Sequence, residues 1–282
     1  MAVFETTGGA IAINELTANG NIKGTLAGGK LAVADLNANS NLYVNSSNNS
    51  FFEAVNANIK KIATLKLAGA GAGIDNLNVG RDFNMAVATN ANSNFGKMVI
   101  GNDMNIYAGK GGLKASSLNV GRNLNTYAYG KFTEPVLAAR SSNNLRASLN
   151  TGNSLGNGYI NPLNANNTVR KAKENEGFVL DIDEVNIGGG LYINNPDVTI
   201  KSQNVFVGND VKITDEKSKI DIDNIDVQGG SMKIKSTQGS VNIGKATVDG
   251  ATDIDMTYGD MHLSDLQSRD EVTLKTKNGN IV

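Results

Sequence analysis

Apolar residues recur along this chain every 20 or 21 residues, and this regularity limits its fold more than any other feature. Leu180, Ile182, Val185 and Ile187 return as Ile200, Val205 and Val207, then as Ile220, Ile222, Ile225 and Val227, then as Val241, Ile243, Ala246 and Val248. A second apolar pair follows in each copy, as in Leu191/Ile193, Val211/Ile213, Met232/Ile234 and Ile254/Met256. The N-terminal part keeps the same template, with Ile11, Ile13, Leu16 and Ile22 followed by Leu31, Val33, Leu36, Leu42 and Val44. Eleven copies start near residues 11, 31, 52, 72, 93, 113, 180, 200, 220, 241 and 261. Each short piece alternates with period 2, the mark of a strand, and no copy sustains a helical period. Short strands repeated at this interval with no helix between them wind into a solenoid.

The expected fold is all-β: a right-handed parallel β-helix of about 11–12 coils with one extended insertion. Leucine-rich repeats have a similar period, but here a second strand stands where they carry a helical segment. Gly80, Gly101, Gly121, Gly188 and Gly208 occupy one offset, with Asn19 and Asn39 in the same place in the first copies. Such a column reads as a repeated corner, occupied by residues that tolerate φ > 0. It accounts for part of the composition, which includes 32 Gly, 41 Asn and only three Pro. Asn37, Asn58, Asn78, Asn119 and Asn186 share another offset and are expected to stack their amides.

The array breaks once. From Leu113 to Leu180 is 67 residues, so residues 133–177 form an excursion between an N-terminal array (1–132) and a C-terminal array (178–282), read as one continuous rod. Pro135–Leu149 has the loose Leu spacing of a short helix. Insertions in solenoids gather on one face and often carry binding.

Composition excludes several functions. A net charge of −1 gives no clustered basic surface for nucleic acid. With no Cys and one His there is no thiol chemistry and little material for a His-based catalytic or zinc site. No apolar run reaches the ~18 residues of a membrane span. Asp181, Asp183, Asp221 and Asp223 take matching outward offsets two coils apart and are weak cation candidates, with Lys201 between them. Arg81 and Arg122 follow the corner Gly and read as surface arginines. His262, Ser264 and Asp265 lie together without triad-like spacing. Tyr107 and Tyr127 form a short outward ladder, a surface-contact candidate that also stabilises the sheet. No catalytic residue and no cofactor is expected.

Phrases such as Leu77-Asn78-Val79-Gly80-Arg81, Val185-Asn186-Ile187-Gly188-Gly189, Val241-Asn242-Ile243-Gly244 and Lys277-Asn278-Gly279-Asn280-Ile281-Val282 resemble the repeats of filamentous haemagglutinin-like large exoproteins, adhesins exported by two-partner secretion. The resemblance covers both arrays. It implies the shaft of a bacterial cell-surface or secreted exoprotein, located extracellularly, whose partner is a glycan or protein on a host or neighbouring cell. End-to-end or lateral self-association is a further expectation. Residues 2–20 lack the basic start of a signal peptide, so the chain reads as a fragment of a longer exoprotein. The rival readings are a polysaccharide-active β-helix enzyme, such as a lyase or glycosidase, and a self-assembling filament subunit.

Overall fold

In the computed structural model, residues 1–88, 91–134, 145–149 and 177–282 are described. The strands in chain order are β1 (Ala2–Thr6), β2 (Gly9–Ala18), β3 (Ile22–Ala27), β4 (Gly29–Ala38), β5 (Leu42–Ser47), β6 (Phe51–Ile59), β7 (Ala63–Ala68), β8 (Gly71–Val79), β9 (Phe83–Val87), β10 (Ala91–Ile100), β11 (Met104–Ala108), β12 (Gly111–Val120) and β13 (Leu124–Ala128). They continue with β14 (Leu145–Leu149), β15 (Phe178–Ile187), β16 (Leu191–Asn194), β17 (Asp197–Val207), β18 (Val211–Val227), β19 (Met232–Val248), β20 (Thr252–Ser268) and β21 (Val272–Asn278). Each except β14 pairs in parallel with a strand one coil away, as in Ile13↔Val33 and Val33↔Ala54. The fold is a β-solenoid of about twelve turns. At about 4.8 Å per turn the rod is roughly 55 Å long.

The apolar template explains the cross-section. In β4, Leu31 and Val33 point inward, and so do Leu36 and Ala38. The three-residue step between Val33 and Leu36 switches parity, so the strand must bend at Ala34-Asp35. After the turn at 39–41, Leu42 and Val44 supply the third inward pair. The columns run the length of the rod: Ile13, Val33, Ala54, Ile74 and Phe95 stack in succession, and Ile222, Ile243 and Leu263 end the same column. Burial of this continuous core drives folding at about 25 cal/mol per Å² before chain entropy is set against it.

The glycine column exists, but for a different reason from the one expected. None of Gly80, Gly101, Gly121, Gly188 and Gly208 has positive φ. Their backbones stack directly, each N–H donating to the preceding coil at 2.8 Å, as from Gly101 to Val79 O. A Cβ on any of them would fall under 3.0 Å from a carbonyl oxygen of the coil below. Close approach excludes a Cβ at these five glycines, while Asn39, Lys60, Gln228 and Asp249 occupy the same position in other coils and donate at 2.9 Å. Left-handed backbone instead occurs at the corner that closes the early coils, at Gly28 (φ 84°), Asn48 (φ 54°), Asn49 (φ 57°) and Gly69 (φ 62°).

The asparagine ladder also differs in detail. Among the described residues Asn58→Asn37 (3.2 Å) is the one amide–amide bond of the expected column, which Val99 and Phe206 interrupt. Stronger ladders lie elsewhere. Asn105 donates to Asn84 and Asn125 to Asn105, at 3.1 and 3.0 Å. At the first corner a side-chain oxygen accepts the backbone N–H of the next coil: Asn21 from Asn41, Asn41 from Ile62, Asp103 from Asn123, and Asn123 from Gly190. These oxygens satisfy turn donors that no strand ladder reaches.

The coils on either side of the excursion join without a gap. β15 stacks on β12 with Leu113↔Leu180, and β16 stacks on β13 with Leu124↔Leu191. Of the short helix expected over Pro135–Leu149, residues 135–144 lie outside the described residues, as do 150–176. Residues 145–149 are not helical but form β14, which pairs antiparallel with β2. Pairing with β2 gives the backbone groups of β14 partners in a second strand.

Candidate functional site

A shallow groove of about 700 Å³ runs along the rod where each long strand bends. Its floor is made by Leu118, Val185, Val205 and Ile225. One wall is the column Lys97, Ser117, Glu184, Asn204, Asn224 and Lys245, in register coil by coil. The other wall includes Asn119, Asn186, Phe206, Asp226 and Thr247. A smaller hollow of about 300 Å³, lined by Asp35, Asn56, Asn76 and Lys97, extends the same groove toward the N-terminal coils.

The groove walls are internally hydrogen-bonded. Asn56 donates to Asp35 (2.8 Å), Asn76 to Asn56 (3.1 Å), Asn204 to Glu184 (2.7 Å) and Asn224 to Asn204 (3.0 Å). A carboxamide has two N–H donors, so each keeps donor capacity beyond its ladder bond. Lysines and carboxylates alternate along the walls. This surface can hydrogen-bond a ligand rich in hydroxyls; it lacks the clustered positive charge that holds a polyanion.

The candidate residues from the sequence are distributed as follows. Asp181, Lys201, Asp221, Asn242 and His262 form one outward column. Lys201 separates the two aspartates, and Asn242 donates to Asp221 at 2.8 Å. Asp183 and Asp223 are not brought to them, and among the described residues no three His, Cys, Asp or Glu side chains converge for a metal. Arg122 pairs with Asp103 at 3.3 Å and Arg81 with Asp82 at 3.9 Å, both arginines exposed; such pairs contribute about 0–1 kcal/mol. Ser264 Oγ lies 3.4 Å from His262 Nε2 on the exposed surface. Asp265 accepts from Gln267 instead of orienting the imidazole.

Tyr107 and Tyr127 do stack, with ring centroids 5.3 Å apart and 27° between planes. They are not an open platform. Phe132 packs edge-on against Tyr107 at 5.4 Å, and Lys131 Nζ lies 6.0 Å from the Tyr127 centroid. The ladder thus anchors the start of the excursion. Two coils further toward the N-terminus Glu134 pairs with Lys66. That bond holds the Lys66 ammonium above its ordinary pKa, while burial and then the Glu134 charge push the Tyr43 phenol up. Phe132 and Glu134 carry no repeat signature, so periodicity could not single them out.

The rod interior also holds a polar cluster. Asn195 is 1% exposed and donates to Ala108 O at 3.1 Å. One coil on, the half-buried Asp215 sits near Ser218 and Ser236. Burial pushes its carboxyl up to about 6, with Asp197 adding to the rise and the Ser236 and Ser218 hydroxyls opposing it. Ser236 donates to Gln238 O at 2.8 Å, and neither carboxylate oxygen completes a hydrogen bond of good geometry. The position lies two residues beyond the Val211/Ile213 pair, a continuation of the alternation that would have revealed it.

Among comparisons with known proteins, no curated protein and no solved structure matches the chain. Residues 140–282 match the family described as Toastrack DUF4097, a span of 143 residues and just over half of the chain. The repeated coils and the matched span agree, and the chain belongs to the Toastrack DUF4097 family.

Proposed function

We propose that the chain is a rigid shaft of a bacterial cell-surface or secreted exoprotein, holding binding surfaces away from their anchor. The observation that carries this reading is the core that spans both arrays, with Ile13 and Leu263 at opposite ends of one column in which Ser202 is the polar member. Parallel ladders in every coil and the corner oxygens that tie one turn to the next resist bending. The repeat phrases resembling filamentous haemagglutinin-like exoproteins support the extracellular setting and the two-partner route. In this reading there is no catalytic centre, and the partner is a glycan or protein of an apposed cell. Antibody against the chain should label intact source cells; label that appears only after permeabilisation refutes the surface assignment.

The groove favours a second reading, in which the shaft itself binds an extended glycan. Its amide donors recur at about 4.8 Å, close to the spacing of sugar units in a linear chain. A neutral polysaccharide panel, assayed for both binding and cleavage, distinguishes the two. Binding that is lost in Asn204→Ala with Asn224→Ala supports a glycan groove. Turnover of any polymer would establish the enzymatic alternative.

A further inference from the structure

One wall of the groove carries an order of residues that its ladder bonds do not explain. Asp35, Asn56, Asn76 and Lys97 stand in consecutive coils, in direct register. Ser117 comes next. Glu184, Asn204, Asn224 and Lys245 then repeat the sequence of acid, amide, amide and lysine. Within each half the amides are bonded back to the acid, Asn56 to Asp35 and Asn76 to Asn56, Asn204 to Glu184 and Asn224 to Asn204.

The lysines stand outside these bonded runs. Both are exposed, and among the described residues neither has an ion-pair partner within the rod. Ser117 keeps Lys97 two coils from Glu184, roughly 10 Å. The column thus presents charges of both signs that the rod itself leaves unpaired.

Reversed end for end, the column is its own complement. A second copy related by a two-fold axis at the level of Ser117 sets Asp35 against Lys245 and Lys97 against Glu184, and symmetry forms each pair twice. Asn56 then faces Asn224 and Asn76 faces Asn204, carboxamides that both donate and accept. Ser117 faces its mate. The other wall agrees: Asp226, its one charge over these coils, falls opposite Asn58. Two copies laid in the same direction would instead set each charge of the column against itself. One coil beyond either end of the span, Glu15 would meet Asp265, so repulsion between like charges confines the contact to the coils from Asp35 to Lys245.

We propose that this wall is a docking surface for a second copy of the chain, laid antiparallel along the rod and held by the Asp35–Lys245 and Lys97–Glu184 pairs. The contact is isologous, the same patch serving both copies, and it doubles the shaft that the first reading describes. A strip nine coils long and four residues wide measures roughly 40 by 13 Å, about 500 Å² on each copy, at the lower limit of specific interfaces. The dimer is therefore weak, and because its ion pairs lie at the surface, salt loosens it.

Sedimentation equilibrium at low salt should find two chains per particle at high concentration, falling to one on dilution or at high salt. K97E and E184K change exposed side chains and should keep the β-sheet circular dichroism signal, yet each alone should stay a single chain where wild type pairs. Mixed together they should form a dimer, and the double variant K97E/E184K should pair with itself again. The chain has no cysteine, so single thiols report the order of the two copies. Opposed faces pack about 10 Å apart, and a bismaleimide of about that reach should join S117C to its mate. It should not join N56C, whose mate would lie six coils or about 29 Å away along the rod. A wild-type protein that remains one chain at high concentration refutes the docking surface. If wild type dimerises but K97E and E184K do not pair on mixing, the dimer uses another face. Joined N56C would overturn the antiparallel order. A groove that binds polysaccharide on a protein that never dimerises makes a glycan its occupant and overturns the proposal.

Discussion

Asp215 is an ionisable group on the inside of an apolar rod, and replacing it with asparagine should make the protein more stable at neutral pH. Its carboxyl rises from an ordinary 3.8 to about 6, chiefly through burial. One pKa unit corresponds to about 1.4 kcal/mol, so a rise of roughly two units bounds the cost of ionisation near 3 kcal/mol. The group is only half-buried, so solvent screening reduces this to about 1–2 kcal/mol. The sign follows from linkage: because the folded-state pKa is raised, the folded protein takes up its proton before the unfolded chain does as pH falls. Stability from this group therefore increases as pH drops from about 7 toward about 4 and is lost as pH rises through about 6. Asp215→Asn keeps the shape and removes the charge. Chemical denaturation should show the variant about 1–2 kcal/mol more stable than wild type at pH 7.5, with the difference shrinking toward zero at pH 4. A variant that is equally destabilised at both pH values would show that the carboxylate is well satisfied, and the reasoning from its unpaired oxygens would fail.

Two further substitutions probe the coil. Gly101→Ala puts a Cβ against the Gly80 carbonyl and should cost about 1–3 kcal/mol as overpacking; Asn39→Gly, at the same column where the coil already accommodates a side chain, should cost less, and equal effects in denaturant titrations would argue against the stacking explanation. Ile222, 2% exposed in the central column, should lose about 3–5 kcal/mol on conversion to Asp through lost burial and a buried charge, with an unchanged melting temperature contradicting its inward placement.

The parts of this fold that were legible in the sequence are those the period repeats. Leu180, Ile200 and Ile220 announce an inward column because each coil must fill the same space, and a one-residue slip would turn that column outward. The corner glycines were visible as a column, but their cause was not: a tight backbone approach between coils and a left-handed φ select the same residue. Tyr107 and Tyr127 could be paired from their offsets. Phe132, which covers them, lies outside the repeat and finds its position only once the excursion is laid on the rod. β14 was hidden for the same reason, since its partner β2 lies more than a hundred residues away and becomes an edge only when the solenoid is assembled. Asp215 is different again. The alternation continues into its position, but a carboxylate at an inward offset contradicts the rule that made the other positions readable.

The central claim is a single continuous rod of equivalent coils, and shortening it by whole coils tests that claim most directly. Ile187, Val207 and Val227 occupy one column, so deletion of residues 188–227 joins Ile187 to Gln228 in register. Small-angle X-ray scattering should find the two-coil deletion folded, with an unchanged cross-section and a rod shorter by about 10 Å. A deletion that unfolds the chain, or that alters the cross-section without shortening the rod, would contradict it.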